Sequence, residues 1–130
     1  MPAPLTIVAF YNVSATACYL NGYVTIDAAT AGDQALPISV IHSGNYERSD
    51  PGPTRVDVPP GGAVSFAIGS GTAFGGGAHI ITLTRLTLTL PGNGGQLQAA
   101  TIIPVTRPNA TGPYPLSETA LVAGTNGPNS

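Results

Sequence analysis

Cys18-Tyr19-Leu20-Asn21-Gly22-Tyr23-Val24-Thr25-Ile26-Asp27 is the stretch that decides the fold class. Cys18, Leu20, Val24 and Ile26 fall on even positions, and Tyr19, Asn21, Tyr23 and Thr25 on odd ones. Successive side chains of an extended chain point to opposite faces, so the segment has one apolar and one more polar face. That is the pattern of a half-buried antiparallel strand. A helix would need apolar residues every three to four positions, and no segment of the chain has that period.

Outward from this stretch the same character repeats. Leu5 to Asn12 precedes it, and Ala35 to His42, Thr54 to Val58, Ala63 to Ile68, His79 to Leu90, Leu97 to Val105 and Glu118 to Ala123 follow it. Pro59-Pro60-Gly61-Gly62 and Pro91-Gly92-Asn93-Gly94-Gly95 are turns, and Gly69 to Gly77 is too glycine-rich to be a strand interior. Within His79 to Leu90, Ile81 and Leu83 lie on odd positions but Leu86, Leu88 and Leu90 on even ones. Such a phase change would turn the apolar face outward, so a bulge or strand break is expected near Thr84-Arg85. The expectation is an all-β chain: an antiparallel sandwich of about seven to eight short strands. It forms a single domain over residues 1–123, with 124–130 a flexible C-terminal tail or linker stub.

The 130 residues suffice for one domain with a real core, and 42% hydrophobic content argues against disorder. Only 8% of residues are charged, with no lysine and four arginines, Arg48, Arg55, Arg85 and Arg107. A net charge of −2 on so few groups cannot supply the basic stripe that phosphate backbones need, so nucleic acid is excluded as an expected partner. Anionic membrane surfaces are disfavoured on the same ground. No apolar run reaches the ~20 residues of a membrane span. The opening Met1-Pro2-Ala3-Pro4 lacks a basic and then apolar leader. The protein is therefore expected either to be intracellular or part of an assembly, or to be extracellular with a targeting segment outside this sequence.

No catalytic constellation is visible. Cys18 shares the parity of Leu20 and Val24 and is expected inward, as a buried thiol acting as a small apolar side chain. His42 and His79 with Cys18 could suggest copper, but the only methionine is Met1 and the clustered Cys, His and Met are lacking, so no metal or cofactor is expected. Glu47 and Asp50 could be a carboxylate pair, and are more simply the solvated charges of one polar loop. The glycine clusters lack the lysine and spacing of phosphate loops. Asn12-Val13-Ser14 and Asn109-Ala110-Thr111 match the glycosylation acceptor pattern, a motif too short to carry a conclusion. Tyr19 and Tyr23 are expected side by side on the outer face of their strand. Exposed tyrosines give contact area at low entropic cost, so this pair is the expected interaction surface. A covering loop or neighbouring strand is the plainer alternative.

The segment Tyr11 to Tyr23 resembles the "N-x-S-x-x-x-C-x-L-x-G-Y-P" motif of the domain-of-unknown-function 4232 family, carried here by Asn12, Ser14, Cys18, Leu20, Gly22 and Tyr23. Val56-Asp57-Val58-Pro59-Pro60-Gly61-Gly62-Ala63-Val64-Ser65-Phe66 resembles its strand-turn-strand around PGG, and Leu86 to Gly92 its late "L-x-L-x-L-P" strand. Val24 stands where the family usually has Pro. The resemblance implies an immunoglobulin-like sandwich in an exported actinobacterial protein, and no activity.

The expected function is thus a non-enzymatic, exported or cell-surface binding module for an unknown protein or surface partner. The alternative is a structural subunit, of decoration or coat type, in a larger assembly. Leu5 to Asn12 is the expected open edge through which the chain would self-associate or dock.

Overall fold

The computed structural model describes residues 5–32, 34–43, 49–70, 79–92, 95–107 and 113–128. Among them the chain is all-β. The strands are β1 (Leu5–Tyr11), β2 (Cys18–Asn21), β3 (Thr25–Thr30), β4 (Gln34–Leu36), β5 (Ile38–His42), β6 (Arg55–Val58), β7 (Ala63–Ser70), β8 (His79–Thr89), β9 (Gln96–Arg107), β10 (Tyr114–Glu118) and β11 (Val122–Ala123). They form three sheets: β1-β7-β10-β5 with β11 also on β7, a two-stranded ribbon β2-β6, and β4-β3-β8-β9. None closes into a barrel.

Among the described residues eleven strands stand in place of the expected seven to eight, because two apolar runs each divide and one strand precedes the last run. The decisive stretch itself is two strands. Gly22 takes a φ of 112°, open to glycine and strained for other residues, and there the chain leaves the ribbon for the β3 sheet. Pro37, which has no amide hydrogen to give a ladder, separates β4 in one sheet from β5 in another. Glu118, expected to open the last strand, closes β10 instead, and β11 begins only at Val122. The antiparallel expectation also needs one correction. β5 and β10 pair in parallel, which their wide separation in sequence permits.

The even-position row survives the break at Gly22. Leu20, Val24, Ile26 and Ala28 are all buried. They meet Val56 and Val58 from β6, Val64, Phe66 and Ile68 from β7, and Leu83, Leu86 and Leu88 from β8 in one core. The irregularity near Thr84 is present. Register passes from Leu83↔Ile103 to Arg85↔Ala100, so Thr84 stands opposite both Thr101 and Ile102. The extra residue is on β9, while across the same irregularity Leu83 and Leu86 of β8, three positions apart, both face the core. Beyond β11 the chain stays on the domain as far as Pro128, which is buried, and the Gly127 amide donates to Ser65 Oγ at 2.8 Å.

Candidate functional site

Two places concentrate chemistry, at opposite edges of the β1-β7-β10-β5 sheet. At the first edge β1 pairs only with β7. The Asn12 amide donates to Gly62 O, so ladder alternation turns the backbone groups of Thr6, Val8 and Phe10 toward β7. Those of Ile7, Ala9 and Tyr11 fall on the free edge, where no strand among the described residues pairs with them. Beside this edge lies a groove of about 510 Å³, whose walls include Phe10, Leu20, Val58, Val64, Leu90 and Leu97. Among the described residues no charged one lines it.

Cys18 opens into this groove and is exposed, which corrects the expectation of a buried thiol. Its parity is right, since it pairs with buried Val58. As the first residue of β2, however, it reaches past the core, with solvent in front of it. Next to it Asn12 is used in full. Its Nδ2 donates to Thr16 O (2.9 Å) and Val58 O (3.0 Å), and its Oδ1 accepts from the Ser14 amide and hydroxyl. The Asn-x-Ser motif here ties the 12–17 turn to the end of β6. Asn109–Thr111, by contrast, lies outside the described residues, as do Glu47, Arg48, residues 71–78 and the side chain of His79.

Tyr19 and Tyr23 take separate partners instead of forming one pair. Tyr19, on the ribbon's outer face, is 60% exposed, and the Arg55 guanidinium lies 4.1 Å from its ring centre. Arg55 in turn donates from Nε to Asp57 Oδ1 at 3.0 Å. This trio is solvated, so its ion pair adds little stability. Tyr23, after the Gly22 turn, belongs to the second place.

There four titratable groups converge from four segments. Tyr23 stacks on His42 with ring centres 3.7 Å apart and planes 4° apart, and its hydroxyl donates to Asp50 Oδ2 at 2.6 Å. Asp50 Oδ1 accepts from the amides of Gly52 and Ala120. His42 Nε2 lies 3.1 Å from Oε1 of Glu118, which is 1% exposed. The Asp50 carboxylate bound to the Tyr23 hydroxyl, with burial, pushes that phenol up to about 12. Burial works against the Asp50 carboxylate, but hydrogen bonds from Tyr23, Ala120 and Gly52 outweigh it and hold its pKa below the usual 3.8. Burial, with the nearby Asp50 charge, raises Glu118 to about 8. Glu118 Oε2 is buried and has no hydrogen-bond partner among the described residues. Tyr114, Leu116 and Glu118 all face inward, a row broken by starting the strand at Glu118, and this parity is the signal that would have found the site.

Among the described residues no three of His, Cys, Asp and Glu gather as metal ligands, and no helix is long and apolar enough to cross a membrane. The family model described as "Domain of unknown function (DUF4232)" matches residues 2–125. The chain belongs to this family. The residues that carry the resemblance to it fall in both places: Asn12, Ser14 and Cys18 at the groove, Tyr23 in the titratable cluster. No curated protein and no solved structure matches this DUF4232 domain.

Proposed function

We propose that this DUF4232 domain is a non-enzymatic, immunoglobulin-like β-sandwich module, exported or on the cell surface, that binds an extended segment of a partner protein at the free edge of β1. The observation that carries the proposal is the uncharged apolar groove lying along that edge. An added strand would satisfy the outward backbone groups of Ile7, Ala9 and Tyr11 and send alternate side chains into the groove. Tyr19 and Arg55 lie on the outer face of the ribbon, opposite to the Cys18 and Leu20 side chains that enter the groove. Tyr23, tied to Asp50, is not part of this surface.

The test uses Cys18 as the reporter. Uncharged decapeptides of alternating apolar and polar residues are screened for slowing its alkylation. Binding sequences should slow it at least tenfold, and Ala9→Pro, which removes an outward amide without touching the β7 ladder, should abolish the protection. If no peptide protects Cys18, or if Ala9→Pro protects as well as the parent, the proposal fails.

A second function is supported by the same free edge together with Val13, which is 95% exposed: a structural subunit whose β1 edge pairs with another copy. Light scattering distinguishes it. Concentration-dependent oligomers lost in Ala9→Pro favour the subunit, and a monomer at high concentration excludes it.

A further inference from the structure

β5 is the edge strand at the far end of the path β1-β7-β10-β5, and among the described residues β10 alone pairs with it in that sheet. Its pairing ends at Glu118↔His42. There the strands are joined by the 3.1 Å contact between His42 Nε2 and Glu118 Oε1 and by the Ser43 amide donating to the Glu118 carbonyl at 3.1 Å. Tyr23 packs flat on the imidazole and hands its hydroxyl to Asp50, which also holds the Ala120 amide.

The titratable groups that face Glu118 among the described residues are His42 from β5, Asp50 from the segment before β6, and Tyr23 from the turn before β3. β7, packed on the other side of β10, has no titratable side chain. β9 also packs on β10, and its one ionisable residue, Arg107, has a side chain outside those described. The chain has no lysine to bring up.

Among the described residues Oε2 of Glu118 meets no donor. With one proton on the line between Oε1 and Nε2, the pair is matched and the buried Oε2 can remain a poorly satisfied but tolerable acceptor. Without that proton, a full carboxylate charge would sit partly on an oxygen with no donor, beside the Asp50 carboxylate. A buried charge in that state costs far more than an unpaired neutral acceptor, and water is its cheapest remedy. The half-exposed His42 stands between Oε1 and solvent, so water gains access by displacing the imidazole and the end of β5.

We propose that the Glu118–His42 contact is a proton-dependent latch, which holds the end of edge strand β5 on β10 and releases it when the shared proton is lost. The latch lies at the opposite sheet edge from β1 and does not depend on what binds there.

Amide hydrogen exchange on the whole chain, each rate divided by its intrinsic value, tests this. The protection of Ser43 should fall at least tenfold between pH 6.5 and 9.5, while that of Asn12, bonded to Gly62 at the other edge, stays constant. In Glu118→Gln, which keeps a donor for Nε2 but has no proton to lose, Ser43 protection should be flat. Constant protection of Ser43 in the wild type overturns the proposal, and so does an equal fall in Glu118→Gln. Should that variant not fold, a carbon-detected titration of the wild-type Glu118 carboxyl decides: a midpoint near neutral or above supports the latch, and an ordinary glutamate midpoint overturns it.

Discussion

Glu118 and His42 stand opposite each other in the last pair of the one parallel strand pairing among the described residues, with Oε1 3.1 Å from Nε2. The carboxyl ends the inward row begun by Tyr114 and Leu116, so the alternation that builds the core also buries an ionisable group. That placement has consequences for stability beyond the local contact.

The first concerns pH. In the unfolded chain Glu118 ionises at its ordinary 4.5, whereas in the fold burial keeps it protonated to about 8. Between those values the folded state binds more protons than the unfolded one, so stability falls as pH rises. The contribution is whole only below 4.5 and is lost once pH passes about 8. Asp50 acts in the opposite sense, its contribution present above 3.8 and lost as pH falls below it. Urea melts should therefore show a maximum near mildly acidic pH, and a decline of a few kcal/mol (~2–4) toward pH 9. In Glu118→Gln the alkaline decline should shrink to under about 1 kcal/mol. An unchanged slope in that variant would assign the pH dependence elsewhere.

Asn12 gives the second. Its side chain fills four hydrogen bonds, two of them to the carbonyls of Thr16 and Val58. Asn12→Ala removes all four and leaves the partly buried Val58 carbonyl at the end of β6 without this donor, so it should cost about 1–3 kcal/mol in chemical denaturation. Asn12→Asp keeps the acceptor for Ser14 but places a carboxylate against the two carbonyls, and it should be no better than Ala. Full stability of Asn12→Asp would show that the donor half of the amide is dispensable.

The core supplies the third. Phe66 is fully buried at the centre of β7 and stacks on Phe10 of the edge strand, centroids 6.1 Å apart and planes 7° apart. Phe66→Ala should cost about 3–5 kcal/mol. Phe10→Ala, at a partly buried position, should cost less and loosen β1 selectively, read as faster exchange of the Asn12 amide.

These effects mark how far period-two alternation carries in this chain. It placed Leu20, Val24, Ile26, Val64, Phe66 and Ile68 inward, and the clash of phases at Leu83 and Leu86 located the irregularity between β8 and β9. Alternation is blind to where a strand changes sheets, because parity runs unbroken through such a change. Gly22 keeps Leu20 and Val24 on the inward row while moving the chain from the ribbon to another sheet. The titratable cluster was hidden for a related reason. Tyr23, His42, Asp50 and Glu118 are brought together by the parallel β5–β10 pairing, a contact between segments over 70 residues apart that no local pattern encodes.

Cys18 provides the last prediction, because its environment departs from its parity. Pairing with Val58 sends it to the core side, but the core ends at Leu20 and the thiol faces the open groove. A buried thiol would react with a soluble disulfide reagent only through unfolding, at rates suppressed by orders of magnitude. An exposed one reacts directly. The native protein should therefore release one equivalent of thiolate chromophore within about tenfold of the rate seen in denaturant, and Cys18→Ser should abolish the signal while shifting stability by under about 1 kcal/mol. A reaction that appears only in denaturant would close the groove over Cys18 and remove the reporter on which the β1-edge assay depends.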